Sequence, residues 1–257
     1  MVDYFLTLGI LLFFYMSLWF VLSLVKKRND VADTAWGLGC VLLAWVSFFI
    51  GQAHGARGLL VGLLVSIWGM RLAWYIHRRN KGKAEDYRYA TWRHEWGRWF
   101  YLRSYGQVYL LQGFLLFLIV LPVLCINKSL GQPLGVLDFV GLAIWILGFV
   151  FESVGDAQLA RFIKDPNNKG KLMQSGLWQY TRHPNYFGEI TMWWGIWLIA
   201  LSVPSSFFSI IGPITITILI LNVSGIPMLE KKMAQNPDFA DYKRKTSICI
   251  PWFRKNI

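Results

Sequence analysis

Cysteine and histidine are scarce in this chain. Its 257 residues include three cysteines, Cys40, Cys125 and Cys249, and four histidines. No Cys-x-x-Cys pair occurs, and no histidine stands at metal-ligand spacing from a cysteine, so the sequence predicts neither a disulfide framework nor a metal site. We interpret the three cysteines as small apolar residues.

Acidic residues are also few, with 14 Asp and Glu against 26 Lys and Arg, which gives a net charge of +12. Such a surplus can indicate a nucleic-acid partner, but bilayer topology explains it better here, because 55% of the residues are hydrophobic and 17% aromatic. A cleavable signal peptide is not expected, since the apolar run Tyr4–Val25 is long enough to span and its basic cluster follows it. The composition indicates a polytopic membrane protein.

Apolar runs near the length of a membrane-crossing helix predict an all-α fold with seven spans. These are Tyr4–Val25, Asp33–Gly51, Gly58–His77, Tyr105–Ile126, Val136–Gly155, Asn185–Leu201 and Ser205–Gly225. Of the 26 Lys and Arg residues, 23 fall on the connections that alternating spans place on one side. Because basic loops stay in the cytoplasm, we expect the N-terminus outside and the C-terminus inside.

One stretch, Arg182-His183-Pro184-Asn185-Tyr186-Phe187-Gly188-Glu189, places several polar side chains at the start of the sixth span. Proline fits the first helical position, so His183 is the predicted cap. Asn185 and Glu189 are four residues apart and share a helix face. A carboxylate that deep in a span is costly without a partner, which makes Glu189 a candidate functional residue.

The other costly polar residues fall in the same cytoplasmic half of the predicted topology. They are Asp33, Arg71, Tyr75, Glu152, Asp156, Asn222 and Glu230. Their convergence predicts one polar cavity that opens to the cytosol, where a charged, water-soluble partner meets a lipid-soluble one. Arg71, Tyr75 and Arg78 or Arg79 form a stripe on span 3, which either carries a polyanion inward or neutralises the buried acids.

Two large basic loops, residues 78–104 and 156–184, agree with this topology. The first interleaves eight basic side chains with aromatic ones, and the second includes Arg161, Lys164 and Lys171. Aromatic residues beside Lys and Arg are typical of contact with anionic lipid headgroups. The alternative interpretation is a clamp for the phosphates of a soluble ligand.

The stretch from Gly176 to Glu189, continued by Trp193-Trp194-Gly195, resembles the steroid 5-alpha-reductase superfamily, which includes sterol reductases and isoprenylcysteine carboxyl methyltransferases. Asp241-Tyr242 and Ile250-Pro251-Trp252 match the C-terminus of that family. The match is specific over residues 150–257, and its likeness is to a bacterial branch. The resemblance implies a single membrane domain, with substrate-side helices in residues 1–150 and a cofactor region in 151–257. In a bacterium this would place it in the inner membrane.

The resemblance further implies an NADPH or NADH site that faces the cytoplasm. The acid at Glu189 and the amide at Asn185 would hold the nicotinamide end. The resemblance adds Asp156 and Lys171 as polar contacts of the nucleotide. The full set of predicted cofactor-binding residues is Arg71, Arg79, Asp156, Arg161, Lys164, Lys171, Tyr180, Arg182, His183, Asn185, Tyr186, Glu189 and Tyr242.

The substrate end departs from the steroid enone reductases, which use a Gln-Glu pair and a tyrosine in the third span. Here Asp33-Thr34 opens span 2, and Trp68 stands where the tyrosine is expected. The predicted catalytic residues are therefore Asp33 and Tyr75 or Tyr89. The first hypothesis is hydride transfer to a double bond of a lipophilic substrate. The alternatives are a lipid or prenyl methyltransferase that uses S-adenosylmethionine, and a lipid transporter or lipid-binding protein without catalysis.

Overall fold

The computed structural model describes residues 2–52 and 54–255, and the regular secondary structure of these segments is helical. Extended pairing in them is limited to an isolated parallel bridge between Thr181 and Ser247. The all-α prediction is therefore confirmed for the described residues. They form two compact units: the chain up to Gly135 together with Val203–Ile211, and Val136–Ser202 together with the chain from Gly212 onward. The predicted single membrane domain, divided near residue 150, stays a prediction.

The first unit is built from long apolar helices and a short polar excursion. Its helices are α1 (Val2–Lys26), α2 (Val31–Ile50), α3 (Ala56–Asn80), α4 (Tyr87–Trp96), α5 (Phe100–Arg103) and α6 (Leu111–Lys128). A 3₁₀ turn, Gly97–Trp99, precedes α5, and a π-helical segment, Ser104–Leu110, leads into α6. Helices α2 and α3 cross closely at Gly37 and Gly69, where a Cβ on either would lie 2.6 Å from the carbonyl oxygen of the other.

The second unit contains the stretch that the sequence singles out. Its helices are α7 (Val136–Lys164), α8 (Pro184–Ala200), α9 (Ile211–Ile218), α10 (Ile226–Met233) and α11 (Phe239–Lys245). The first residue of α9, Ile211, belongs to the first unit. Two 3₁₀ turns, Pro166–Asn168 and Gly176–Gln179, shape the connection from α7 to α8. A π-helical segment, Leu219–Val223, extends α9.

Six helical segments of the described chain are long and apolar enough to cross a membrane. They are Asp3–Lys26, Val31–Ile50, Ala56–Asn80, Tyr87–Lys128, Val136–Lys164 and Phe207–Met233. The chain is thus an integral membrane protein, and these six segments contain or closely match six of the predicted spans. The remaining span corresponds to α8, a helix of 17 residues. Its crossing of the membrane, and the predicted orientation of the termini, stay predictions.

Helices α7 and α8 pack closely because glycines face each other along both. A Cβ on Gly148 would lie 2.5 Å from the carbonyl oxygen of Gly188, and a Cβ on Gly141 would lie 2.5 Å from that of Gly195. On α7, Gly141 and Gly148 are seven residues apart, and on α8 so are Gly188 and Gly195. The two glycines of each helix therefore share a face. Small residues let the backbones of membrane helices approach. This contact holds the polar end of α7 beside the start of α8.

Replacing Gly188 by alanine is expected to destabilise the protein by about 1–3 kcal/mol, the usual cost of overpacking. The added methyl group would lie 2.5 Å from the backbone nitrogen of Glu152, and the helices must separate to make room. Gly9→Ala in α1 is the control, because nothing lies within 4 Å of a Cβ there. Thermal unfolding in detergent measures both variants, and equal melting temperatures would contradict the close contact.

Candidate functional site

The start of α8 has the local structure that the sequence predicts. His183 is the N-cap and Pro184 the first helical residue, so both assignments are confirmed. The carbonyl oxygen of His183 accepts the N–H of Phe187 at 3.0 Å, and its own N–H donates to the Thr181 hydroxyl at 3.2 Å. The His183 ring makes no capping hydrogen bond with the first turn of α8.

Arg182 fastens the segment before α8 to the C-terminal part of the second unit. Its Nη2 and Nε lie 2.7 and 2.8 Å from Oε1 of Glu230. Its Nη1 donates to the carbonyl oxygens of Lys243 at 3.2 Å and Thr246 at 2.5 Å. The side chain is only 4% exposed. Arg182 therefore acts as a structural clamp within the protein, and its direct contact with a cofactor stays a prediction.

Backbone and hydroxyl contacts extend the same clamp. The N–H of Arg182 donates to the carbonyl oxygen of Ser247 at 2.9 Å. The Thr181 hydroxyl donates to the carbonyl oxygen of Cys249 at 2.8 Å. The segment after α11 thus runs beside the residues that precede α8, and it fixes the position at which α8 begins.

Three of the predicted cofactor-binding residues are tyrosines near this clamp. Tyr242 is fully buried, and its hydroxyl donates to the carbonyl oxygen of Trp178 at 2.6 Å. Tyr180 is 38% exposed. The Tyr186 ring stacks on His183 with the ring centroids 5.8 Å apart. Tyr242 accordingly supports the clamp, whereas Tyr180 keeps an accessible face.

Glu230 also orients His183, whose side chain is only 1% exposed. Its Oε1 lies 3.3 Å from Nε2 of the histidine. Because a carboxylate accepts hydrogen bonds, this contact favours the tautomer with the proton on Nε2. Nδ1 is then an acceptor, and it is buried without a hydrogen-bond partner among the described residues. A donor from a ligand or from water can satisfy a buried acceptor of this kind.

Asn185 presents a second buried acceptor. Its Nδ2 donates to Oδ1 of Asp156 at 3.3 Å, and the carboxylate thereby fixes which end of the amide faces α7. The amide oxygen is buried and has no hydrogen-bond partner in the described part of the chain. Gly155 permits this approach, because a Cβ there would lie 3.3 Å from the backbone nitrogen of Asn185. Asn185 and His183 together offer two acceptors to a ligand that carries N–H or O–H groups.

Two further carboxylates lie close to these acceptors along the helices. Glu189 follows Asn185 by one turn of α8 and is half-buried. Glu152 precedes Asp156 by one turn of α7 and is 3% exposed. The start of α8 is therefore rich in acceptor groups.

Cationic side chains lie in the last turns of α7 and in the connection that follows. Arg161, Lys164 and Lys171 are exposed and form no ion pair within the described residues. Gln158 holds the returning connection, because its Oε1 accepts the N–H of Leu177 at 3.0 Å. Exposed cations of this kind suit phosphate groups, and that role stays a prediction.

The predicted catalytic residues lie in the first unit. Asp33 accepts a hydrogen bond from the Tyr89 hydroxyl at 2.7 Å and pairs with Nη2 of Arg88 at 2.8 Å. Tyr89 is 2% exposed. The N-cap of α2 is Asp30, so Asp33 does not cap the helix. Asp33 instead joins a side-chain cluster with the start of α4.

The remaining predicted residues of the first unit lie on α3. Arg71 and Tyr75 are half-buried, and Arg79 is exposed with its Nε donating to the side chain of Asn80 at 3.3 Å. Trp68, at the position where the resemblance implies a tyrosine, is 2% exposed. The convergence of these residues with those of α7 and α8 on one cavity stays a prediction.

Two residues that hold predicted site residues in place, Glu230 and Arg88, are not themselves among the predicted site residues. Glu230 is the acid at the end of the seventh predicted span, and a buried acid needs a cation, which is the signal that connects it to Arg182. Arg88 carries no comparable signal, because its partner Asp33 is 55 residues away in the sequence.

The buried His183 is expected to make stability depend on pH. Burial lowers its pKa below the ordinary value of 6.5, and Arg182 acts in the same direction, against the hydrogen bond with Glu230. The unfolded state then binds more protons, so the free energy of unfolding falls as the pH drops below 6.5. His183→Gln should show a smaller fall between about pH 7.5 and about pH 5 in chemical denaturation. Identical pH profiles for wild type and variant would contradict this.

The chain is similar to one protein family and to several individual proteins. The family described as "Protein of unknown function (DUF1295)" matches residues 19–246. An uncharacterized protein of Schizosaccharomyces pombe is 26% identical over 218 residues, which cover 74% of this chain and 63% of that protein. The rat 3-oxo-5-alpha-steroid 4-dehydrogenase 1 is 27% identical over 113 residues, 44% of this chain and 40% of the enzyme. The human protein of the same name is 32% identical over 71 residues, 27% of each.

The chain spans less than two thirds of the length of each of these relatives. No solved structure matches it significantly.

Proposed function

Because the chain belongs to this DUF1295 family, which is steroid 5-alpha-reductase-like, we propose that it is a membrane reductase. It uses NADPH or NADH to reduce a double bond of a lipophilic substrate of the steroid, isoprenoid or acyl type. The pair of buried acceptors at the start of α8, His183 Nδ1 and Asn185 Oδ1, carries the proposal. Relatives named for a steroid dehydrogenase activity support it.

The second unit has groups that fit a nicotinamide dinucleotide. Asn185 and His183 accept hydrogen bonds, and the carboxamide and ribose hydroxyls of such a cofactor donate them. Arg161, Lys164 and Lys171 suit its phosphates. The bound cofactor supplies the hydride.

The protein itself binds the cofactor, orients it and keeps water out of the site. The Arg182–Glu230 pair holds the start of α8, and Asp156 sets the orientation of Asn185, so both acceptors stand in place before a ligand arrives. Such preorganisation lowers the entropic cost of aligning the reactants. In the first unit, Arg88 and the Tyr89 hydroxyl hold the Asp33 carboxylate in one orientation.

The proton that completes the reduction is assigned to the acid groups of the first unit. Tyr89 is one predicted donor; its hydroxyl donates to the Asp33 carboxylate at 2.7 Å, so its proton must leave that hydrogen bond to reach a substrate. Tyr75 remains the other candidate.

The site is proposed to face the cytoplasm, where reduced nicotinamides are available. In a bacterium the membrane would be the inner one.

Thermal stabilisation tests the function directly. A ligand that binds only the native state, at about 100 times its dissociation constant, stabilises a protein by about 2.7 kcal/mol. We expect NADPH or NADH to raise the melting temperature of the purified protein in detergent. Stabilisation by S-adenosylmethionine alone would indicate the methyltransferase alternative. Stabilisation by none of the three would favour the transporter, for which flux or lipid exchange is the positive test.

A further inference from the structure

A cavity of about 320 Å³ lies in the first unit, where α1 ends. None of the residues assigned to the reduction is among its described lining residues. Its lining includes Leu24, Lys27, Asn29, Arg93, Phe100 and Tyr101. None of the described residues that line it is acidic, and the lining combines two cations with three apolar or aromatic side chains. We call Lys27 and Arg93 its cationic side, and Leu24, Phe100 and Tyr101 its apolar side.

Arg93 forms a fixed part of the cationic side. Its Nε and Nη2 bind the carboxylate of Glu85 at 3.2 and 3.0 Å, and Nη2 also reaches the carbonyl oxygen of Lys27 at 3.4 Å. The guanidinium lies over the Phe100 ring, 4.1 Å from its centroid. Its remaining nitrogen, Nη1, makes no hydrogen bond within the described residues. A rigid guanidinium with an available N–H group is a good donor for a phosphate oxygen.

Lys27 supplies the second cation. Its side chain is exposed and forms no ion pair within the described part of the chain, and its backbone has a φ of 53°. This left-handed conformation is uncommon for lysine. It follows α1 directly, so the ammonium group stands at the depth where the membrane-crossing segment Asp3–Lys26 ends. That depth is the headgroup region of a bilayer.

The apolar side of the cavity continues into the membrane-crossing helix. Leu24 is 39% exposed, and Val25, Val21 and Leu18 on the same helix are between 52% and 75% exposed. Side chains three and four residues apart form one ridge along α1. An amphiphile with its anionic group at Lys27 would lay its hydrocarbon chains along this ridge.

We propose that this cavity is a binding site for an anionic glycerophospholipid. The phosphate lies between Lys27 Nζ and Arg93, and the acyl chains follow α1. A soluble phosphate ester has the same anionic group, but it has no chains to cover the apolar side. Zwitterionic lipids carry a cation of their own, which the Lys27 ammonium group disfavours. The proposal is independent of the reductase function, since it uses none of its residues.

Native mass spectrometry of the full chain in detergent tests the site, with phosphatidylglycerol and phosphatidylethanolamine of matched chains. Lys27→Gly and Lys27→Asn remove the charge and tolerate the left-handed backbone. Both are expected to weaken phosphatidylglycerol binding by about fivefold, as for loss of one basic residue at a membrane surface. Phosphatidylethanolamine binding should not change. Lys26→Gln is the matched control, because Lys26 lines a different cavity.

Three results would overturn the proposal. Unchanged phosphatidylglycerol binding by both Lys27 variants would show that Lys27 is not part of the binding site. An equal loss with Lys26→Gln would show a diffuse surface charge rather than a cavity. Competition by glycerol 3-phosphate or inorganic phosphate at concentrations equal to the lipid would identify a soluble phosphate compound as the occupant.

Discussion

Replacing Asn185 by alanine is expected to weaken NADPH binding by about tenfold or more, while the protein stays folded. The amide oxygen is a buried acceptor without a partner in the described chain, and the amide nitrogen is held by Asp156. A ligand donor left buried without its acceptor loses about 1–3 kcal/mol. Glu189→Gln, which keeps the shape of the side chain and removes its charge, is expected to act in the same direction. Fluorescence titration of NADPH against the purified variants measures the dissociation constants.

The control for these variants is a buried asparagine of the first unit that is not among the predicted site residues. Asn127 in α6 donates to the carbonyl oxygen of Ala44 at 3.0 Å and to the Ser47 hydroxyl at 2.8 Å. Asn127→Ala is expected to lower the stability of the protein and to leave the NADPH dissociation constant unchanged. If Asn185→Ala and Glu189→Gln bind NADPH as well as wild type, the cofactor site is wrongly placed.

Much of the helical architecture could be predicted from apolar runs. The bounds of α1, α2 and α3 lie within three residues of the predicted spans, since hydrophobic length is a local property of the sequence. The polar continuation of α7 to Lys164 was not predictable in this way, because a helix that leaves the bilayer no longer needs apolar side chains. The spacing of Gly141 and Gly148 is a readable signal for close packing, although it does not name the partner helix.

The site shows the same division between local and long-range information. The cap at His183 and the first helical position of Pro184 follow from neighbouring residues, and both are confirmed. The partners of Asp33 and Arg182 come from segments 55 and 48 residues away, and no local pattern specifies them. Polar residues can therefore be identified as costly from the sequence, while the side chains that satisfy them emerge only from the fold.

Replacing Arg182 by methionine is expected to lower the free energy of unfolding by about 3–5 kcal/mol, the range for breaking a buried ion pair. The substitution leaves Glu230, which is only 13% exposed, without its closest cation. It also frees the carbonyl oxygens of Lys243 and Thr246, which Arg182 Nη1 holds. Chemical denaturation in detergent measures the loss. Because the clamp sets where α8 begins, NADPH binding should weaken as well.

A nearby arginine provides the matched control. Arg244 pairs with Asp241 at 2.8 Å, but the two side chains are 66% and 43% exposed, so Arg244→Met should change stability little. The double variant Arg182→Met/Glu230→Gln separates two contributions. If the stranded carboxylate dominates, the double variant recovers part of the stability; if the carbonyl contacts dominate, it is no more stable than Arg182→Met. A single variant no less stable than Arg244→Met would contradict the clamp, and with it the account of how His183 and Asn185 are held ready for a ligand.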